Sequence, residues 1–157
     1  MLFRSVSAKA EFLRRYGDWF DPVPALIEST EPEAIVSTLT YDRPPRRRWG
    51  RGRVTLLGDA AHPMKPNIGQ GAAQALEDAV VLGLCFERAK DATAALRAHE
   101  RRRIKRANAA VRMSRQAGRA AEVRSPLGAR LRDTAFKLLP DALAIARQRR
   151  LARFEPK

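Results

Sequence analysis

The chain has 157 residues, of which 31 are Lys or Arg and 17 are Asp or Glu, so its formal net charge is +14. Because 45% of the residues are apolar, the composition excludes disorder along the whole length, and the length fits one ordinary domain. A single cysteine, Cys85, excludes an internal disulfide framework. The apolar runs are too short to span a bilayer, and the N-terminus lacks the apolar core of a signal peptide. These features predict a cytoplasmic protein.

The positive charge is concentrated towards the C-terminus, where residues 97–157 hold 18 Lys and Arg against 5 Asp and Glu. Such asymmetry is typical of proteins that bind nucleic acid or an anionic membrane. A simpler interpretation is an Arg-rich genome, because 25 of the 31 basic residues are Arg.

The N-terminal third predicts two short helices and a strand. Ala8–Tyr16 has apolar residues at helical spacing and is followed by Gly17, which can end a helix. A second helix is expected to begin at Asp21 and Pro22, with the aspartate as N-cap and the proline in the first helical position. Ala34–Tyr41 is rich in β-branched residues and predicts a strand.

The middle of the chain predicts a buried strand, a loop and a buried helix. Arg53–Leu57 is apolar without polar alternation, which is typical of a strand in a parallel sheet. A loop with two prolines follows. Gly69 to Gly71 then open a helix that runs to about Phe86 and is apolar on most sides, so we expect it to be buried.

Three more helices are predicted towards the C-terminus. A long one spans about Thr93 to Ala121 and has only a thin apolar stripe. Ser125 and Pro126 begin a further helix, as N-cap and first helical residue. Pro140 and Asp141 are expected to begin the last.

The segment from Gly52 to Asp78 has the composition of a ligand site. Asp59, after the predicted strand, could accept hydrogen bonds from sugar-type hydroxyls, and Gly58 leaves room for a ligand near the backbone. The helix start after Gly69 presents free backbone N–H groups and a partial positive charge, which favour phosphate or an oxyanion.

Together, the GDAAHP turn, the second proline, GQG and the Ala-rich helix with Glu77 and Asp78 resemble the C-terminal FAD-binding motif of the FAD-dependent aromatic-ring monooxygenases. This family includes enzymes similar to salicylate hydroxylase and 6-hydroxynicotinate monooxygenase. The resemblance implies an oxidoreductase that uses FAD, NAD(P)H and O2 to transfer one oxygen atom to a small aromatic or related substrate. The protein would position and shield the cofactor.

The resemblance also implies residue roles. Asp59 would bind the ribityl hydroxyls of FAD with clearance from Gly58, and Pro66 would lie near the flavin ring. His62 is interpreted as a structural loop residue rather than a general base, so no catalytic side chain is assigned. The spacing of the His and Cys residues predicts no metal site. Backbone donors to the pyrimidine edge of the flavin would come from Gly69, Gln70, Gly71 and Ala72.

Two motifs of the family are missing: GxGxxG, which holds the FAD pyrophosphate, and an Asp-Gly segment. The chain therefore resembles the C-terminal part of an α/β, Rossmann-like FAD-binding fold, mostly helical here with two or three strands. Residues 1–50 would end the substrate region, 51–90 would form the FAD motif, and 91–157 the basic helices. A truncated reading frame, a split gene whose N-terminal half is another chain, and a decayed copy stay open. Alone, the chain is expected to bind FAD poorly and to be inactive.

Two other functions compete with this interpretation. One is a basic, helical nucleic-acid-binding module, although neither zinc-finger spacing nor an RNP-like aromatic pattern supports it. The other is a peripheral membrane protein that uses basic amphipathic helices. Against the nucleic-acid module, the basic residues Arg101–Arg103, Lys105 and Arg106 are interpreted as the solvated face of a long helix, with some basic residues paired to acids of the missing half, so no specific nucleic-acid partner is expected.

Overall fold

A computed structural model describes residues 8–123, 125–140, 145–146, 149 and 153–156. The chain divides into two compact units, Met1–Thr40 and Tyr41–Lys157. None of the helices among the described residues combines the length and the apolar composition needed to span a membrane. The helices are α1 (Ala8–Tyr16), α2 (Val23–Ser29), α3 (Gly71–Arg88), α4 (Ala92–Ala121) and α5 (Pro126–Leu138), and short 3-10 turns occur at Pro32–Ala34, Gly58–Ala60 and Pro66–Ile68.

The first unit contains the two predicted short helices in contact with each other. The bounds of α1 are those predicted, and Lys9 Nζ donates to the carbonyl of Glu28 at 2.6 Å, which links α1 to the end of α2. The predicted start of α2 is wrong. Pro22 takes non-helical angles (φ −98°, ψ 21°) in the N-cap position, so the helix begins one residue later and Asp21 does not cap it.

The predicted strands are not found in the part of the chain that the structure describes. There, the only β-type pairing is an isolated antiparallel bridge between Arg51 and Val54. Ala34 ends a 3-10 turn, and the residues after it up to Tyr41 form no regular element. Residues 53–57 are mostly exposed rather than buried. A strand needs a partner that continues its ladder of backbone hydrogen bonds. Within the described residues, the backbone pairing of residues 53–57 stops at Val54 with Arg51 and at the N–H of Leu56, which donates to the carbonyl of Trp49 at 3.2 Å.

The second unit is built around the contact between α3 and α4. Both helices occur where the sequence predicts them, and Asp91 caps α4 by accepting a hydrogen bond from the backbone N–H of Ala94 at 2.8 Å. Ser125 likewise caps α5, as predicted. The helix expected from Pro140 and Asp141 lies largely outside the described residues.

Among the described residues of the second unit, hydrophobic packing forms two small clusters. Trp49, Ala61 and Ala107 form one, with Ile104 against it. The other joins α3 and α4 through Val81, Cys85 and Ala95. Cys85, the cysteine of this cluster, is a free, buried thiol.

The prediction that α3 is buried on most of its sides is wrong. Its buried face carries Gln74, Glu77 and Asp78, whereas Leu76 and Val80 on another face are 70% and 48% exposed. Polar groups can be buried here because α4 presents side chains of complementary charge and hydrogen-bonding capacity. The site described next depends on this polar contact.

Candidate functional site

The Gly58–Ala60 turn places the Asp59 carboxylate at the surface. Gly58 is buried and has a φ of +54°, a left-handed conformation that L side chains rarely adopt. A Cβ on this residue would lie 3.2 Å from Cβ of Ala75, one turn into α3. The glycine thus lets the turn sit against α3, and its predicted clearance for a ligand stays a prediction.

The turn is bonded to α3 through one carboxylate. Oδ2 of Asp78 accepts from the backbone N–H of Gly58 at 3.0 Å and from Nε2 of His62 at 2.6 Å. The His62 ring is buried and packs against Trp49, with ring centroids 5.3 Å apart. His62 therefore closes the end of the turn from inside the fold and has no access to solvent.

Arg103 of α4 supplies the buried positive charge that this carboxylate needs. Its Nε donates to Oδ1 of Asp78 at 2.6 Å, and a terminal nitrogen donates to Oε1 of Gln74 at 2.8 Å. Glu77 also pairs with Arg103, and it accepts from Nε of Arg106 at 2.6 Å. Beside the apolar cluster of Val81, Cys85 and Ala95, the α3–α4 interface thus contains a network of charge-assisted hydrogen bonds.

The network lowers the pKa of both carboxyls. Burial raises the pKa of Asp78, but the hydrogen bonds from His62 and Arg103 outweigh this and hold the pKa below its ordinary value. Burial likewise raises the pKa of Glu77, and the hydrogen bond from Arg106 with the charge of Arg103 brings it below the ordinary value. Both groups are therefore ionised at neutral pH, as ion-pair partners must be.

The loop between the turn and α3 ends at an uncapped helix start. Asn67 Nδ2 donates to the carbonyl of Ser114 at 3.0 Å, which fixes the loop on α4. Gly69 has a φ of +63°, which reverses the chain, and Gln70 in the N-cap position makes no side-chain hydrogen bond to α3. The first N–H groups of the helix are thus available to a ligand.

Comparison with known proteins identifies the family of the chain. The family model described as "FAD binding domain" matches residues 27–117, which is more than half of the chain. The chain belongs to the FAD-binding domain family.

Relatives and solved structures agree with this assignment. "Aurachin C monooxygenase/isomerase" of Stigmatella aurantiaca is 41% identical over 149 residues, which cover 95% of this chain and 39% of that protein. "6-hydroxynicotinate 3-monooxygenase" of Bordetella bronchiseptica is 46% identical over 110 residues, 69% of this chain and 28% of that protein. Klebsiella pneumoniae HpxO complexed with FAD and uric acid has a TM-score of 0.82 and 32% identity, covering 92% of this chain and 37% of that one. The chain thus spans less than two fifths of these relatives.

Within this FAD-binding domain, the residues predicted for the cofactor lie on two neighbouring segments. The first segment is the 3-10 turn with Gly58 and Asp59. It lies beside α3, since Gly58 is close to Ala75 of that helix. Asp59 and Pro66 are exposed. The second segment, which leads into the uncapped start of α3, contains Pro66, Gly69, Gln70, Gly71 and Ala72.

Sequence reasoning missed the buried network that supports the site. The interpretation of residues 101–106 as a solvated face is wrong for Arg103, which is 1% exposed, and Glu77 and Asp78 were given no role. A signal was present in the spacing. Gln74, Glu77 and Asp78 share one face of α3, and arginines three residues apart on α4 offer a matching face.

Proposed function

We propose that this chain supplies the flavin-binding C-terminal part of an FAD-dependent monooxygenase that uses NAD(P)H and O2. The observation that carries the proposal is an exposed carboxylate, Asp59, on a turn anchored to a helix whose start is uncapped, within an FAD-binding domain. Two of the similar proteins are monooxygenases by name, which supports the reaction class. No described feature favours nucleic acid as the ligand.

The residues present fit FAD. The Asp59 carboxylate would accept hydrogen bonds from the ribityl hydroxyls, and Pro66 would lie near the flavin ring. The N–H groups that begin with Gly69 and continue through Gln70, Gly71 and Ala72 would face the pyrimidine edge. There the helix start would stabilise negative charge on the reduced flavin. FAD would supply the redox and oxygen chemistry, and these residues would bind and orient it.

The part of the relatives that this chain does not span would complete the fold. Residues 53–57 would become a strand beside partners from that part, as would 34–41, giving the two or three strands that the sequence predicts. The exposed apolar residues Val54 and Leu76 would be covered by the same contact. In this arrangement residues 1–50 end the substrate region, 51–90 form the FAD motif and 91–157 the basic helices.

The substrate is proposed to be a small aromatic or related molecule. HpxO is complexed with uric acid, and the Bordetella bronchiseptica enzyme is named for 6-hydroxynicotinate; both compounds are heteroaromatic. A location in the cytoplasm stays a prediction from composition.

Titration of FAD by quenching of its fluorescence tests the proposal in two forms: the 157-residue chain, and a chimaera that joins the N-terminal part of HpxO to it. We expect weak binding and no turnover for the chain, and tight binding for the chimaera. Asp59→Ala should weaken binding at least tenfold. The control, Glu87→Ala, changes an exposed acid on α3 and should have no effect. Absence of saturable FAD binding in both forms would refute the proposal. Stoichiometric FAD binding to the 157-residue chain alone would show that the N-terminal part is not needed to bind FAD.

A further inference from the structure

The turn that carries Asp59 is held at both of its ends by side chains from distant parts of the sequence. Asp78 accepts hydrogen bonds from the backbone of Gly58 and from His62 through a single oxygen. At the other end, a terminal nitrogen of Arg43 donates to the carbonyl of Ala60 at 2.6 Å and of Ala61 at 3.2 Å. The exposed carboxylate thus lies between two anchors, neither of which touches it.

We propose that Asp78 and Arg43 are positioning residues for the flavin: they fix the Gly58–Ala60 turn so that the Asp59 carboxylate is oriented before FAD arrives. The inference rests on the proposed role of Asp59. Without these anchors, a three-residue turn that contains a glycine would sample many backbone conformations, because few hydrogen bonds lie within the turn itself. Ordering it in advance removes a cost that binding would otherwise bear.

The orientation of Asp78 is itself fixed from behind. Arg103 holds its other oxygen, Oδ1, so the carboxylate cannot rotate away from the turn without breaking a buried ion pair. Glu77, the preceding residue, pairs with the same guanidinium but has no bond to the turn. The chain therefore contains a matched control: two neighbouring buried acids share one partner, and only one of them reaches the turn.

Amide hydrogen exchange on the 157-residue chain tests the positioning without any ligand. In Asp78→Asn, we expect the Gly58 amide to exchange at least tenfold faster, relative to the slowest amides of α4, than in the original chain. In Glu77→Gln, overall stability should fall comparably while that ratio stays the same. Arg43→Met is a second variant, from outside the buried network, and should speed exchange of the Ala61 and His62 amides, which both bond to the Gly58 carbonyl at 2.9 Å.

FAD titration supplies the second measurement, on whichever form of the protein binds FAD more tightly. Asp78→Asn and Arg43→Met should each weaken binding about fivefold to twentyfold at conditions where all variants are folded, and Glu77→Gln by less than twofold. Unchanged exchange at Gly58 in Asp78→Asn, and at Ala61 and His62 in Arg43→Met, would overturn the positioning. Faster exchange with unchanged FAD affinity would overturn its connection to the flavin. If neither the unmutated chain nor the unmutated chimaera binds FAD, the proposed function fails. Hydrogen exchange then still decides whether the turn is anchored.

Discussion

Arg103 and Asp78 form an ion pair between α4 and α3, with Nε of the guanidinium 2.6 Å from Oδ1 and both side chains excluded from solvent. Burying two charges is costly, and here the cost is offset because each group has further partners. Asp78 also binds Gly58 and His62, and Arg103 also binds Gln74 and Glu77.

Removal of this guanidinium should destabilise the chain strongly. Arg103→Met leaves two carboxylates in the α3–α4 interface without their buried cation, and we expect the free energy of unfolding to fall by about 3–5 kcal/mol. Urea denaturation followed by circular dichroism measures this. Arg101→Met is the control, because this arginine is exposed on the same helix and should change stability by less than about 0.5 kcal/mol. Equal effects of the two substitutions would show that the buried network is not stabilising.

The stability of the chain should decrease as the pH falls below about 6.5, through His99. Burial lowers the pKa of His99, and the charge of Asp78 opposes this only in part. Both ring nitrogens lack a hydrogen-bond partner within the described residues. The unfolded chain then binds a proton near pH 6.5 that the folded chain does not, so this contribution is complete above that pH and is lost below it.

His99→Leu should remove that dependence. Between about pH 6.5 and 5, the free energy of unfolding of the variant should change less steeply, by up to about 1.4 kcal/mol per pH unit. Denaturation curves at several pH values measure the slopes. At lower pH both proteins should lose stability together, as Asp78 and Glu77 are protonated through their lowered pKa values in the folded state. Parallel curves over the whole range would contradict a role for His99.

The sequence predicted the helices well and the burial of α3 badly, for different physical reasons. Helix caps are local signals: Ser125 caps α5 as expected, and Asp91, for which no role was predicted, caps α4 in the same way. The side of a helix that is buried depends on its partner. Hydropathy predicted an apolar interior for α3, whereas α4 offers Arg103, so Gln74, Glu77 and Asp78 are buried together with Val81 and Cys85.

The same distinction applies to the site and to the strands. The Asp59 turn and the helix start are encoded within some fifteen residues, so the motif could be recognised from sequence. The anchors of that turn, Arg43 and Asp78, are 17 and 20 residues from the groups that they bind, and no local pattern joins them. Residues 53–57 have the composition of a strand, but a strand is completed only by a neighbour.

Gly58 in the proposed flavin-binding turn and Gly83 in the second half of α3 should respond oppositely to replacement by alanine. Gly58→Ala places a Cβ 3.2 Å from Ala75 on a backbone with positive φ, and we expect a loss of about 1–2 kcal/mol in the free energy of unfolding. Gly83 lies within α3, and a Cβ added there would have no heavy atom within 4 Å. Gly83→Ala should therefore raise the free energy of unfolding by about 0.5–1 kcal/mol. Thermal denaturation of both variants checks this. A neutral Gly58→Ala would show that the left-handed turn is not required in the folded chain.

The exposed apolar face of α3 should make the isolated chain self-associate. Leu76, Val80 and Phe86 are all at least 48% exposed, and residues 53–57 are mostly exposed and form no strand in the described part of the chain. Such surfaces favour association in water. We expect Leu76→Glu to shift the chain towards monomer without loss of helix, because no buried contact is removed. Sedimentation velocity over a range of concentrations measures the change.

Leu138→Glu is the matched control for that experiment, since this leucine on α5 is 77% exposed, close to the 70% of Leu76. If association depends on the α3 face, the control should leave the sedimentation profile unchanged. An original chain that is monomeric at every concentration would contradict the prediction. If instead both glutamates reduce association equally, the cause is general surface hydrophobicity, and the proposed covering of α3 by the remaining part of the enzyme would lose its support.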